Sequence, residues 1–142
     1  MISLKLRETI EIYAINLLCC PKFDTNKEKK QWSIIEYSSP LRRRVKLPFT
    51  AHKNRRKIIE AIQKLPFFAG VTATGAALQL ALEVLHSRRS NVLTNVVVLT
   101  DGFSYDYVEQ PSMMLHRLPN VQTFTATVTE TWRQLYLKKG KD

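Results

Sequence analysis

The run Asn95-Val-Val-Val-Leu-Thr100 constrains this chain more than any other stretch. Near-continuous apolar strands belong to parallel sheets whose two faces are both covered by helices. The run breaks at Asp101-Gly102, a turn signal. Helical periodicity precedes it, with Ala77, Leu78, Ala81, Leu82 and Leu85 on one stripe, and a further helix is expected from about Val108 to Leu118. A second β-rich segment, Val121–Val128, comes next. Strands alternating with helices predict an open α/β sheet. Such sheets bind ligands outside the carboxyl ends of their strands. Two segments should reach that edge: Gly70–Gly75, which opens a helix, and Thr100–Asp106, which leaves a strand.

The amino-terminal half fits the same plan. Leu6, Ile10, Tyr13, Ala14 and Leu17 predict a helix over Ser3–Leu18, ended by Cys19-Cys20-Pro21. Residues 22–31 are polar and read as a loop. Trp32–Tyr37 reads as a strand, and Ser38-Ser39-Pro40 as a turn. Val45, Leu47 and Phe49 alternate with polar residues and Pro48, which predicts an edge strand. Thr50 is positioned to cap a helix carrying Ile58, Ile59, Ile62 and Leu65, ended by Pro66.

Charge is the unusual property of the composition. The formal net charge is +10 at pH 7. Residues 1–71 hold 15 Lys/Arg against 6 Asp/Glu, and residues 72–142 hold 7 against 6. Part of the excess lies in Arg42, Arg43 and Arg44 and in Arg55, Arg56 and Lys57. Such clusters suit a polyanion, either a heparin-like sulfated glycan or nucleic acid, the latter less favoured; a solvated face is the plainer alternative. No stretch of about 18 uncharged apolar residues occurs, so no membrane span is expected. Two cysteines exclude a disulfide-scaffolded miniprotein. Glu8 and Glu11 interrupt the only stretch resembling a signal peptide, and no small-residue cleavage site follows.

Three stretches, in order and spacing, resemble the von Willebrand factor type A domain, the integrin I-domain fold. They are Trp32–Ser39, Gly70-Val-Thr-Ala-Thr-Gly-Ala-Ala-Leu78 and Val96-Val-Val-Leu-Thr-Asp-Gly102. The resemblance spans roughly residues 3–128, leaving 129–142 as a basic polar tail. It implies an open, mostly parallel, doubly wound (Rossmann-like) α/β sheet with helices on both faces. It also implies a metal-ion-dependent adhesion site at the carboxyl edge, with Mg²⁺ as the implied cofactor. There Thr72 supplies a hydroxyl ligand and Asp101 a carboxylate. Read without the resemblance, a Thr before a helix is commonly a cap and an Asp-Gly after a strand commonly a turn.

The family's first ligand segment, Asp-x-Ser-x-Ser at the end of the central strand, is absent from these 142 residues. Thr72 and Asp101 alone are too few ligands for dependable Mg²⁺ binding. The Trp32 and Val96 strands are then expected either to pair directly or to leave a gap. The family's last elements have no room in residues 129–142. A domain cut at both ends is the expectation: an incomplete gene model, a splice product or a degenerate copy.

Other chemistry is sparse. His52, His86 and His116 have no zinc-ligand spacing. Cys19 and Cys20 are adjacent and read as small apolar residues. Asp101 and Asp106 flank one loop without a nucleophile or positioned base, so no enzyme is expected. The resemblance implies a non-enzymatic adhesion module, extracellular and possessing a protein or matrix ligand. Polyanion binding by the basic half, and an inert remnant, are the alternatives.

Overall fold

A computed structural model of the chain describes residues 31–51, 54–65, 70–100 and 103–127. The expected first helix, Cys19 and Cys20, His52, Asp101 and the basic tail lie outside the described residues, as does the side chain of Arg55.

The chain is α/β. The elements run β1 (Ile34–Tyr37), β2 (Arg43–Leu47), α1 (Arg55–Gln63), α2 (Thr74–Leu85), β3 (Thr94–Thr100), α3 (Glu109–Arg117) and β4 (Val121–Thr127). β1 and β2 form an antiparallel hairpin, with Tyr37 opposite Arg43 and Ile34 opposite Leu47. The register shifts between Ile34 and Ile35, a bulge-type irregularity at the open end. β3 and β4 pair in parallel from Thr94↔Val121 to Thr100↔Thr127. Parallel neighbours need a crossover, and α3 provides it.

Two apolar clusters hold these units. Leu47, Ile58 and Ile62 form the first, with Trp32, Ile34, Ile59 and Leu65 against them, so α1 covers the hairpin. Leu78, Leu85 and Leu115 form the second, with Val96 and Val98 beneath and Phe49, Leu82, Val108 and Leu118 around them. α2 and α3 therefore share one face of β3. Pro111 sits in the first turn of α3, where its missing N–H has no partner to lose. At the amino ends of the parallel strands, Asn120 adopts φ 57°, a conformation that Asn tolerates better than most residues. The Asn120 side-chain amide donates to the Ser90 carbonyl at 3.1 Å, and its own carbonyl accepts from the Thr94 amide at 2.8 Å.

Two local expectations differ, and a third had left two alternatives open. Thr50 lies in a turn, and Asn54 caps α1, accepting from the Arg56 amide at 2.9 Å. Asn is a stronger cap than Thr, and it lies closer to the apolar stripe. β3 is half-buried along most of its length rather than enclosed, since its described packing comes from α2 and α3. Among the described residues β1 and β3 belong to separate two-stranded units, so they do not pair directly. Tyr37 bridges them, its hydroxyl donating to the Leu99 carbonyl at 3.3 Å.

Candidate functional site at the carboxyl edge

α2 begins where β1 ends, and its first turn is buried: Thr74, Gly75, Ala76 and Ala77 are all inaccessible. A helix start leaves amides without intrahelical partners, and buried amides must find acceptors. The N-cap residue is Ala73, whose side chain offers nothing. The acceptors come from the loop after β3 instead. The Thr74 amide donates to Ser104 Oγ at 3.0 Å, Gly75 to Asp106 Oδ1 at 2.8 Å, and Ala76 to Asp106 Oδ2 at 2.7 Å. The Ser104 hydroxyl in turn donates to Asp106 Oδ1 at 2.7 Å. From Ala77 onward the helix supplies its own acceptors, the Ala77 amide reaching the Ala73 carbonyl at 3.2 Å.

This clamp depends on Gly75. A Cβ there would run into the Tyr107 carbonyl group and stand 3.1 Å from Asp106 Cγ. Only glycine lets the loop lie this close over the helix start. Gly70, at φ +146°, makes a second close approach, since a Cβ on it would meet Ser38 Oγ at 2.9 Å. The turn after β1 is tied in as well. The Ala73 amide donates to the Ser38 carbonyl at 2.8 Å, and Ser38 Oγ donates to the Val71 carbonyl at 3.3 Å. The Tyr37 hydroxyl lies 3.4 Å from Thr74 Oγ1, and the Tyr105 amide donates to the Thr72 carbonyl at 2.7 Å.

Electrostatics follow from these contacts. Partial burial acts to raise the Asp106 pKa. The Ser104 hydroxyl and the Gly75 and Ala76 amides together outweigh it and hold the carboxyl below its ordinary value. Both carboxylate oxygens accept from the protein, so Asp106 is a structural anion at a helix start rather than a base aimed at a substrate.

Thr72 lies in the loop before α2, half-buried at this edge, and Ala73 rather than Thr72 occupies the cap position. Asp101, outside the described residues, immediately follows β3 in sequence. Of the six basic residues, the five with described side chains separate into different roles. Arg42 is exposed in the β1–β2 turn. The Arg43 guanidinium turns inward and donates to the Ala76 carbonyl at 3.1 Å. Arg44 pairs with Glu36 at 3.1 Å, where Lys46 also approaches to 3.6 Å. Arg56 pairs with Glu60 one turn along α1 at 3.1 Å, and Lys57 is exposed. Sequence reasoning missed the clamp. A usable signal was present in the Ser-x-Asp spacing of Ser104 and Asp106, facing a helix start that has no acidic residue of its own.

Residues 13–139 match the model of the von Willebrand factor type A domain. The chain belongs to this family. Human vitrin is 35% identical over 86 residues, covering 60% of this chain and 12% of vitrin. The human collagen alpha-1(XXI) chain is 30% identical over 104 residues, covering 72% of this chain and 10% of the collagen. The transmembrane cell adhesion receptor mua-3 of Caenorhabditis elegans is 28% identical over 115 residues, covering 76% of this chain and 3% of the receptor. The chain thus spans about a tenth or less of the length of these relatives. Among the described residues, no helix is long and apolar enough to cross a membrane.

The family often carries a divalent cation at this edge, so the donor set matters. Asp106, whose carboxylate sits at the start of α2, has both oxygens engaged by Gly75, Ala76 and Ser104. Among the described residues no group of three or more His, Cys, Asp or Glu side chains gathers into a metal cage. Thr72 contributes a hydroxyl only. Mg²⁺ requires octahedral oxygens at about 2.0–2.1 Å, usually with one or two free carboxylates. The described donors do not fit a resident Mg²⁺.

Proposed function

We propose that this chain is a non-enzymatic protein-binding module that docks an extracellular matrix protein at the carboxyl edge of its sheet. The observation that carries this reading is the clamp at α2. It fixes the β1–β2 turn, the loop before α2 and the loop after β3 as one rigid rim. A preorganised rim is what a binding surface needs, because ordering costs then fall outside the binding step. Membership of the family supports the reading, as does similarity to a collagen chain and to a cell adhesion receptor. The commitment of both Asp106 oxygens to helix amides supports the absence of acid–base chemistry there.

Thr72 and Asp101 are proposed as the remnant of the family's metal site, with contact to ligand carried by protein groups. Chelator is therefore expected to leave binding largely intact. Polyanion binding through Arg42, Arg43, Arg44, Arg55, Arg56 and Lys57 is the second reading. It is favoured by the exposure of Arg42 and Lys57 and weakened by the internal engagement of Arg43, Arg44 and Arg56.

The test is solid-phase binding of the full chain to decellularised fibroblast matrix, with and without EDTA and across salt concentration. The reversal variant Leu41→Arg/Val71→Arg alters two exposed rim positions, one on the turn and one on the loop. Saturable binding that resists EDTA and falls about tenfold or more in this variant supports edge docking. Binding abolished by heparin lyase, with a steep salt slope, belongs to the polyanion reading.

A further inference from the structure

Positive charge is interrupted once along the chain. The sequence carries 22 Lys and Arg, yet none falls between Arg89 and Arg117. The acids of that interval are Asp101, Asp106 and Glu109, and they gather around two tyrosines. Tyr105 has Asp106 directly after it, and Asp101 and Glu109 four residues to either side. Tyr107 has Asp106 directly before it and Glu109 two residues on. Tyr136, by contrast, stands among Arg133, Lys138 and Lys139. In a chain of net charge +10, the tyrosine loop is a local reversal of sign.

The fold presents both phenols. Ser104 and Asp106 turn toward the start of α2, as their hydrogen bonds require. Tyr105 and Tyr107 are 78% and 89% exposed. The backbone beneath them is held: the Tyr105 amide donates to the Thr72 carbonyl at 2.7 Å, and the Tyr107 carbonyl lies against Gly75. Neither ring belongs to a buried cluster, and neither hydroxyl bonds to a described residue. The Tyr37 hydroxyl, by comparison, is engaged by the Leu99 carbonyl. Both loop phenols are therefore open to an enzyme.

We propose that Tyr105 and Tyr107 are acceptors for tyrosine O-sulfation. This rests on the extracellular reading above, because chains bound for the matrix are the ones that meet a Golgi sulfotransferase. In the step, the phenolic oxygen attacks the sulfur of an activated sulfate donor, a mixed anhydride of sulfate with a nucleotide phosphate. The S–O bond to that phosphate breaks, and the nucleotide leaves with the electron pair. The phenolic proton passes to a base of the transferase, and no redox change occurs. A transferase that holds a polyanionic donor has a cationic site, which attracts an acidic segment and repels Lys and Arg. Asp101, Asp106 and Glu109 supply the attraction, and the absence of Lys and Arg removes the repulsion. Asp106 contributes although its oxygens are engaged, because its donors are neutral and leave its charge in place. Each ester turns a neutral phenol into a fixed anion.

The test incubates the purified full chain with Golgi-membrane extract and a radiolabelled sulfate donor, followed by peptide mapping. An acidic tyrosine peptide in the same reaction confirms that the transferase is active. Label is expected on the peptide that bears Tyr105 and Tyr107. Tyr105→Phe/Tyr107→Phe keeps both rings and should reduce incorporation to background. Glu109→Lys should slow incorporation about fivefold. Thermal melts confirm that these exposed substitutions leave the fold intact. An unlabelled chain, label confined to other tyrosines, or undiminished label in the double variant overturns the proposal. So does transfer of phosphate rather than sulfate to these tyrosines when the same extract receives labelled ATP. An unchanged rate in Glu109→Lys overturns recognition through the acidic flanks. Matrix binding is scored separately. A chain that takes sulfate but does not bind matrix overturns edge docking and leaves the tyrosine assignment standing. A chain that binds matrix but takes no sulfate does the reverse.

Discussion

Asp106→Ala removes the acceptor for two buried amides and for one hydroxyl, so it is the sharpest perturbation of the edge. Its size can be worked from the contacts. Losing a helix cap costs about 0.5–2 kcal/mol. Losing the anion at a partly buried helix start costs a further 0.3–2 kcal/mol or so. The Gly75 and Ala76 amides, both on buried residues, then have to recruit water or go unpaired, which penalises the folded state further. A total of about 2–4 kcal/mol is expected. Asp106→Asn keeps one carbonyl acceptor and should cost roughly half as much. The measurement is urea unfolding of the full chain at pH 7 and pH 3. The carboxyl has a folded pKa below its ordinary 3.8, so its stabilisation is complete above that value and is lost as pH falls through the folded pKa. The parent should therefore approach the Asp106→Ala variant in stability as pH falls. A difference under about 0.5 kcal/mol at pH 7, within the range of ordinary surface substitutions, would refute the clamp. So would a gap that widens on acidification.

Two further perturbations follow from packing. Gly75→Ala gains helix propensity of about 1 kcal/mol but drives a methyl into the Tyr107 carbonyl, so a net loss of about 1–3 kcal/mol is expected. Hydrogen exchange at the Ala76 amide should quicken in that variant, and unchanged protection would show that the loop need not lie so close. Leu115 is 1% exposed at the centre of the second cluster, so Leu115→Ala should cost about 2–5 kcal/mol in thermal unfolding. Leu41→Ala, at a position 96% exposed, should stay within about 0.5 kcal/mol of the parent.

What could be read from the sequence was local. The Val96–Leu99 run declared β3, and its neighbours' periodicity placed α2, α3 and β4 to within a residue or two, because each signal lies within the element itself. The edge was located too, since Gly70–Gly75 and Thr100–Asp106 had to lie at strand ends. What the sequence withheld was pairing at a distance. Gly75 and Asp106 are 31 residues apart, and nothing in either neighbourhood names the other. The basic triplet Arg42-Arg43-Arg44 looked like one patch. Arg44 meets Glu36 only once the hairpin register is set, and Arg43 reaches a carbonyl 33 residues away only once α2 docks. Charge clusters in a sequence count cations, whereas binding depends on which cations the fold leaves free.

The same distinction explains why the loop after β3 bears on function. At its inward positions the fold demands acceptors, because a buried helix start must be satisfied, and Ser104 and Asp106 meet that demand. At its outward positions the side chains are exposed. Phe103, Tyr105 and Tyr107 cap no amide through their side chains, and the buried clusters beneath the loop are built by Leu78, Leu85 and Leu115. Polar residues there would leave the clamp intact and would improve solubility. Three exposed aromatics stand at those positions, on a loop that the hydrogen bonds of Ser104 and Asp106 hold against the start of α2.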